Sequence, residues 1–240
     1  MSTFMQSSCH VVALTLGLLV AAVPAIAIDV DLTTVGSSGT IGSGTFVQMD
    51  QQPTGTGVID PFVRMQASGS EKGFNTDHSP LNGDLADVKS GIWTHSLKVS
   101  DLMPVVYNGV LSAQFLLDIN QTGADPQLSL DDLRVFTAGS PSISDNATLF
   151  AQNLVYAMGA GNRVLLDFSL NAGSGSGDMY FYLPWSLFAG LGNQYLYLYS
   201  EFGASGGSYA SNDGFEEWAH MLLLVPVDQE TWSGVKGLYR

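Results

Sequence analysis

The sequence predicts an all-β protein, a single antiparallel β-sandwich of jelly-roll-like form behind an N-terminal signal peptide. From Gly91 onward, short apolar segments alternate with clusters of Gly, Asn, Asp and Pro at the spacing of strands and turns. Two of these segments alternate apolar and polar residues with period two, which is typical of half-buried strands. Only Gly214–Leu224 also fits a helical period, and there we favour a strand with Trp218 and His220 facing inward.

The chain begins with an apolar leader. Val11–Ala27 carries no charge and ends in the small-x-small pattern Ala25-Ile26-Ala27. Because about 15 apolar residues are short for a membrane span, the pattern favours a signal peptide over residues 1–27, cleaved after Ala27, rather than a membrane anchor. The only cysteine, Cys9, would leave with this leader. We therefore expect a secreted protein, extracellular, at the cell surface or periplasmic, with no disulfide, thiolate metal site or cysteine nucleophile.

Composition limits the classes of partner. Of the 240 residues, 45% are hydrophobic and 12% are charged, which allows one domain with a large core. The net charge of −14 comes from 22 acidic and 8 basic residues. Such a surface repels nucleic acid and anionic membranes but attracts divalent cations, of which calcium is common outside cells. We expect no nucleic-acid partner and no stable membrane anchor in the mature chain.

The mature chain begins with a Gly/Ser-rich lead-in over residues 28–57. Its segments Gly36–Gly44 and Gln51–Gly57 contain too few apolar residues to form a core, and we predict loops there. Between them lies one short predicted strand, Thr45–Met49. The lead-in is thus expected to precede the sandwich rather than to belong to it.

The sandwich itself is predicted over residues 58–225, and residues 226–240 are predicted to form a C-terminal tail. The two segments with period two are Ile92–Val99 and Val164–Leu170. Four short runs rich in apolar or aromatic residues add further predicted strands: Phe115–Ile119, Leu133–Phe136, Met179–Leu183 and Tyr195–Tyr199.

A calcium site is predicted near the middle of the chain. Asp118–Gly123 has oxygen-bearing side chains at the first, third and fifth positions of a calcium loop and Gly at the sixth. Ser129 stands where a helical EF-hand needs a bidentate Glu, so we predict a looser site at the end of a hairpin. The alternative is a plain polar turn at Asn120–Pro126. The predicted Ca²⁺ ligands are Asp118, Asn120, Asp125, Asp131 and Asp132.

The densest acidic group is Asp213, Glu216 and Glu217 beside Trp218. Paired carboxylates can act as general acid and base in glycoside hydrolysis, so a secreted glycan-active enzyme is the alternative function. Such groups are usually solvated surface, and no other catalytic motif is present in the sequence. We therefore predict no catalytic residues, and a non-enzymatic binding or structural module of the bacterial cell surface or extracellular matrix.

An aromatic row is predicted on one strand. Tyrosines alternate with leucines there, so Tyr195, Tyr197 and Tyr199 share one face and lie about 7 Å apart along the strand. Tyr180 and Tyr182 have the same relation on another predicted strand. Exposed rings at this spacing can stack on successive sugars, and we predict that the row at 195–199 binds extracellular polysaccharide. The alternative is that these rings fill cross-strand pairs without a ligand.

Six stretches between Gly57 and Ala219 form a distinctive set: GVIDPFVR at 57–64, FLLDIN at 115–120, LSLDDLRVF at 128–136, VLLDFSL at 164–170 with GSGSGDM at 173–179, YLYLYS at 195–200 and NDGFEEWA at 212–219. Through them the chain resembles exported bacterial proteins of the PEP-CTERM type, whose C-terminal tag is read by exosortase. The resemblance implies a β-rich domain outside the cytoplasm and brings no catalytic residues with it. Residues 222–240 depart from the family pattern because they lack Pro-Glu-Pro and an apolar 20-mer, so we expect release rather than anchoring.

Overall fold

The computed structural model describes residues 27–49, 60–172, 177–212 and 214–220. Over these residues the chain forms the predicted all-β sandwich, in which two large sheets pack face to face. The single α-helix of this part of the chain, α1, spans Asn146–Phe150. The strands are β1 (Asp29–Asp31), β2 (Ser38–Ile41), β3 (Gly44–Gln48), β4 (Asp60–Met65), β5 (Ser68–Gly69), β6 (Glu71–Phe74), β7 (Leu97–Lys98), β8 (Pro104–Tyr107), β9 (Val110–Asp118), β10 (Gln127–Ala138), β11 (Asn153–Ala157), β12 (Arg163–Asp167), β13 (Met179–Pro184), β14 (Tyr195–Phe202), β15 (Ser211–Asn212) and β16 (Glu216–His220).

Sheet A has seven strands, and its main path runs β1-β12-β10-β14-β6. Strand β10 is long enough to pair with β12 through its first residues and with β11 through its last ones. Its other side pairs with β14, where Arg134 lies opposite Tyr199 and Phe136 opposite Tyr197. The described pairings in this sheet are antiparallel apart from that of β1 with β12, which is parallel.

Sheet B also has seven strands, in the order β2-β3-β13-β9-β16-β4, with β8 paired to the start of β9. In the middle of the sheet, Leu117 on β9 lies between Met179 on β13 and Trp218 on β16. Strands β5 and β15 form a separate two-stranded sheet. This small sheet ties the connection between β4 and β6 to the segment that precedes β16.

The core lies between sheets A and B and is strongly aromatic. Trp218 on sheet B is fully buried, and its indole Nε1 donates a 3.1 Å hydrogen bond to Ser200 Oγ on sheet A. Tyr156 on sheet A packs against Phe181 on sheet B with ring centroids 5.2 Å apart. Complete burial of a large apolar side chain contributes about 1.5–3 kcal/mol, so contacts of this kind hold the two sheets together.

The predicted boundary between lead-in and sandwich is wrong. Residues 28–57 were expected to hold one strand, and the structure has that strand as β3. It also has β1, paired with β12 in sheet A, and β2, paired with β3 in sheet B. The buried side chains of Val30 and Ile41 explain the difference, because isolated apolar residues among Gly and Ser still reach the core at the edge of a sheet.

The predicted strand at Ile92–Val99 is also wrong over most of its length. Only Leu97–Lys98 pairs as a strand, whereas Ile92 and Trp93 are exposed. The backbone N–H of Ser96 and its hydroxyl both donate to the carboxylate of Asp77, at 2.7 and 2.8 Å. These bonds hold the segment as a loop that the alternation of residues did not reveal.

The other described strand predictions are confirmed within β9, β10, β13, β14 and β16. The strand predicted at Val164–Leu170 is confirmed only as far as Asp167, because Phe168–Leu170 forms a 3-10 helix. Residues 1–26, the loop predicted at 51–57 and the end of the chain from 221 lie outside the described residues. Cleavage after Ala27 and the predicted tail therefore stay predictions. Among the described residues, no helix has the length and apolar character needed to cross a membrane.

Candidate functional site

A cleft of about 270 Å³ opens on the outer face of sheet B, and we call it the tyrosine cleft. Along β13, Phe181 and Leu183 point into the core, so Tyr180 and Tyr182, which alternate with them, point outward. Strands β2, β3 and β13 line one side of the cleft, and the tip of the β8–β9 hairpin lines the other. Its lining consists of Ser38, Gly39, Thr40, Ser43, Thr45, Tyr107, Asn108, Val110, Ser112, Tyr182 and Pro184.

Two stacked rings form the aromatic part of the cleft. Tyr107 and Tyr182 have ring centroids 4.1 Å apart and ring planes 9° apart. Tyr180 extends this aromatic surface, with its centroid 5.9 Å from that of Tyr182. The Tyr182 hydroxyl also accepts a 3.3 Å hydrogen bond from the Gln114 side-chain amide. Burial raises the pKa of the Tyr182 phenol, and the neighbouring phenols of Tyr180 and Tyr107 add to this, so the hydroxyl stays protonated and able to donate.

The position of Tyr107 follows from a tight turn. Asn108 and Gly109 both have positive φ, 46° and 79°, and they connect β8 to β9 as a two-residue hairpin loop. Asn-Gly is the preferred pair for such a turn because both residues tolerate left-handed backbone. The turn places Tyr107 opposite Val110 and turns both side chains towards β13.

The tyrosine cleft is polar without being charged. Apart from the phenols, the described lining carries no ionisable side chain, and its polar groups are five hydroxyls and the Asn108 amide. Hydroxyls and amides both donate and accept hydrogen bonds, and an aromatic ring offers a flat apolar face. This combination suits a neutral ligand that has hydroxyl groups around an apolar ring face. The described lining contains no Asp, Glu, His or Cys side chain.

The predicted aromatic row at Tyr195, Tyr197 and Tyr199 is on one face, as the alternation indicates, but it is not an exposed platform. Tyr197 and Tyr199 are 0% and 4% exposed, and Tyr195 is half-buried. The Tyr197 hydroxyl donates to the carbonyl of Ser140 at 2.6 Å, and Phe150 of α1 packs edge-on against Tyr199. The segment around α1 therefore covers Tyr197 and Tyr199, and of the three rings only Tyr195 stays partly exposed.

The predicted calcium ligands are divided between the two sheets. Asp118 is buried at the end of β9 in sheet B. Asp131 and Asp132 lie on β10 in sheet A, where Asp131 accepts hydrogen bonds from Ser129 and Ser205 and Asp132 pairs with Arg134 at 2.6 Å. Asn120 and Asp125 lie in the connection between the sheets. Nowhere in the described ranges do three or more His, Cys, Asp or Glu side chains form a group suited to a metal ion. The calcium site stays a prediction, without support from this placement.

The acidic group predicted for the alternative enzyme does not form an open pair. Glu217 is 7% exposed and forms an ion pair with Arg64, whose guanidinium lies 4.1 Å from the Trp93 ring and 4.8 Å from that of Phe215. Glu216 is fully buried on the opposite side of β16. Asp213 lies outside the described residues. Neither glutamate lines the tyrosine cleft, and neither has a position from which it reaches a sugar there.

Asp178, which directly precedes β13, is buried. One of its oxygens accepts a 2.8 Å hydrogen bond from the Ile119 N–H, and its Oδ1 has no hydrogen-bond partner. Burial raises the pKa of this carboxyl well above its ordinary value, and the nearby carboxylates of Asp118 and Asp167 raise it further. The Asp178 carboxyl is therefore a buried acid that prefers its protonated form.

Sequence reasoning found part of the tyrosine cleft. It identified Tyr180 and Tyr182 as a pair on one strand, but it did not select Tyr107, Ser112 or Gln114. The available signal was the dipeptide Asn108-Gly109 between two apolar runs, which predicts a hairpin. Comparisons with protein-family models, with curated proteins and with solved structures found no match for this chain.

Proposed function

We propose that this protein is a secreted, non-enzymatic binding module of the bacterial surface or extracellular matrix, and that its tyrosine cleft binds neutral carbohydrate. The observation that carries the proposal is the lining of the cleft, in which Tyr107 and Tyr182 stand among uncharged hydroxyl and amide groups. Sugar rings present an apolar face to aromatic side chains and hydroxyls to polar ones.

The lining also argues for a neutral rather than an anionic sugar. The cleft offers no Lys or Arg to a carboxylate or sulfate group, and the chain carries a net charge of −14. An anionic polysaccharide would meet long-range repulsion with no compensating ion pair. The glycan-active enzyme is less well supported, because Glu216 is buried and Glu217 is paired with Arg64.

The proposal is tested by binding of the protein to soluble β-glucan, mannan and xylan in affinity electrophoresis, with polygalacturonate as the anionic comparison. We expect retardation by at least one neutral polymer and none by polygalacturonate. Tyr107→Ala should abolish the retardation while the protein stays folded, since Tyr107 is only half-buried. Tyr209→Ala is the matched control, because this half-buried tyrosine does not line the cleft.

Retardation that Tyr107→Ala leaves unchanged would place binding elsewhere on the protein. Absence of retardation by every neutral polymer would remove the carbohydrate proposal and leave a structural module as the remaining function.

A further inference from the structure

Two glutamates from different sheets meet in the interior of the sandwich. Glu71 begins β6 in sheet A, and Glu216 begins β16 in sheet B. Their side chains are 1% and 0% exposed, and the two carboxyl groups are close enough for each to shift the pKa of the other. This contact therefore joins sheets A and B at a position where both carboxyl groups are out of reach of water.

Each carboxyl group has one oxygen satisfied by a neutral donor. Glu71 Oε2 accepts a 2.6 Å hydrogen bond from the Ala67 N–H, and Glu216 Oε1 accepts one of 2.5 Å from the Gln121 side-chain amide. The other two oxygens, Glu71 Oε1 and Glu216 Oε2, have no donor among the described groups. Two buried carboxylates would repel each other, whereas one proton placed between them satisfies both remaining oxygens.

Among the described residues, no Lys or Arg forms an ion pair with Glu71 or Glu216 that would replace this proton. The charge of Asp87 raises the pKa of the Glu71 carboxyl, and that of Lys89 lowers it. On the neighbouring strands, Arg64 of β4 is paired with Glu217 of β16, and Lys72 of β6 is exposed. Strand β14 contributes Phe202 opposite Glu71, and β4 contributes Met65 opposite Glu216.

The remaining neighbours are Asp118 of β9, which lies opposite Glu217, and His220 at the far end of β16. Strands β5 and β15 bring no ionisable side chain. Burial is the largest cause that raises the pKa of both Glu71 and Glu216, and the contact with Glu71 raises that of Glu216 further. The two groups titrate as one unit that holds a proton above the pH at which an exposed glutamic acid loses it.

The donors that bind the pair also hold the small sheet. Gln121 uses its side-chain oxygen to accept a 3.1 Å hydrogen bond from the Asn212 N–H of β15. Ala67, whose N–H binds Glu71, uses its carbonyl to accept a 2.7 Å hydrogen bond from the Ser211 hydroxyl. A change at the carboxyl pair therefore reaches β5 and β15 directly.

We propose that Glu71 and Glu216 share one proton and act as a pH-sensitive latch between sheets A and B, which releases the β5–β15 sheet when the proton is lost. At acidic pH the latch is closed. As the pH rises, a second negative charge develops inside the sandwich, and the structure relieves it by separating the two carboxylates and admitting water. The segments that move first are those that Ala67 and Gln121 tie to the pair.

The test is hydrogen exchange of the whole protein between pH 5 and pH 8, corrected for the intrinsic dependence of exchange on pH. We expect the amides of Ala67 and Asn212 to lose protection as the pH rises, while that of Phe46 in the β3–β13 pairing keeps it. In Glu216→Gln a neutral amide donates to Glu71 at every pH, so protection at Ala67 and Asn212 should become independent of pH. Glu201→Gln is the control, since this half-buried glutamate lies on neighbouring β14 and should preserve the wild-type behaviour.

Equal loss of protection in the wild type and in Glu216→Gln would overturn the proposal. Should Glu216→Gln fail to fold, the infrared carbonyl band of a protonated carboxyl group in the wild type at neutral pH provides a second measurement, and its absence would also overturn it. The melting temperature in the presence of added calcium provides a third measurement. A rise in melting temperature that requires Glu216 would mean that the pair holds a cation rather than a proton.

Discussion

Tyr107 lies flat against Tyr182, with ring planes 9° apart and centroids separated by 4.1 Å. The two residues are far apart in the chain, on β8 and β13, and their contact brings the tip of the β8–β9 hairpin over the outer face of sheet B. Tyr182 is 8% exposed beneath this contact. The stack thus forms the wall of the tyrosine cleft and closes the outer surface of β13.

The stack should be measurable as a coupling free energy. Offset or parallel aromatic pairs contribute about 0.5–1.5 kcal/mol beyond the area that they bury. A double-mutant cycle of Tyr107→Leu and Tyr182→Leu, followed by urea unfolding, should give a coupling of that size. Additive effects of the two changes would show that the rings do not interact in solution.

Tyr197 should behave as a core residue. Tyr197→Ala removes a fully buried ring and should cost about 3–5 kcal/mol of unfolding free energy, as large aromatic deletions do. Tyr197→Phe removes only the donor to the Ser140 carbonyl, and we expect a loss of about 1 kcal/mol. Chemical denaturation of the two variants measures both losses of unfolding free energy. A small loss for Tyr197→Ala would mean that the segment around α1 does not cover the ring.

The tyrosines of the row at 195–199 separate what a sequence can predict about a strand from what it cannot. Period two predicted the strand at Val164–Leu170, which the structure has as far as Asp167. The alternation at 195–199 placed Tyr195, Tyr197 and Tyr199 on one face, because alternation is a local property of extended backbone. Whether that face is open depends on what packs against it, here Phe150 from a segment some 50 positions earlier in the chain. That information is absent from the strand itself.

The prediction for the lead-in at residues 28–57 was wrong for a related reason. Strands β1 and β2 are short, and each carries one buried apolar residue, Val30 or Ile41, so neither shows a hydrophobic period. Strand β1 forms because a partner distant in sequence, Arg163–Asp167, offers it a free edge, whereas β2 pairs with β3, which follows it in the chain. The pair Glu71–Glu216 escaped prediction for the same reason, since no spacing rule connects residues from two different sheets.

Removal of only one partner of the ion pair between Arg64 and Glu217 should lower the stability of the protein. Arg64→Met leaves the largely buried Glu217 carboxylate without its partner, and breaking a buried pair in this way costs about 3–5 kcal/mol. The double variant Arg64→Met with Glu217→Met should recover most of that loss, because no unpaired charge remains. Thermal unfolding of the three variants would check this, and equal instability of the single and double variants would contradict it.

Asp178 should make the protein less stable as the pH rises. Burial raises its pKa in the folded state, so the folded state binds this proton more tightly than the unfolded state does. The stabilisation from this proton is complete below the pKa of the unfolded chain, about 3.9, and is lost as the pH rises through the folded-state value. Asp178→Asn cannot ionise, yet its amide oxygen can still accept the hydrogen bond from the Ile119 N–H.

The melting temperature of Asp178→Asn should therefore exceed that of the wild type by an amount that grows between pH 4 and pH 8. Asp125→Asn is the matched control, because Asp125 is exposed and its replacement should leave the pH profile parallel to that of the wild type. The pH dependence that Asp178 contributes is separable from that of the pair Glu71–Glu216. Asp178→Asn combined with Glu216→Gln should make the melting temperature less dependent on pH than either change alone. A profile for Asp178→Asn that stays parallel to the wild type would mean that Asp178 is ionised in the folded protein and that its neighbours stabilise the charge.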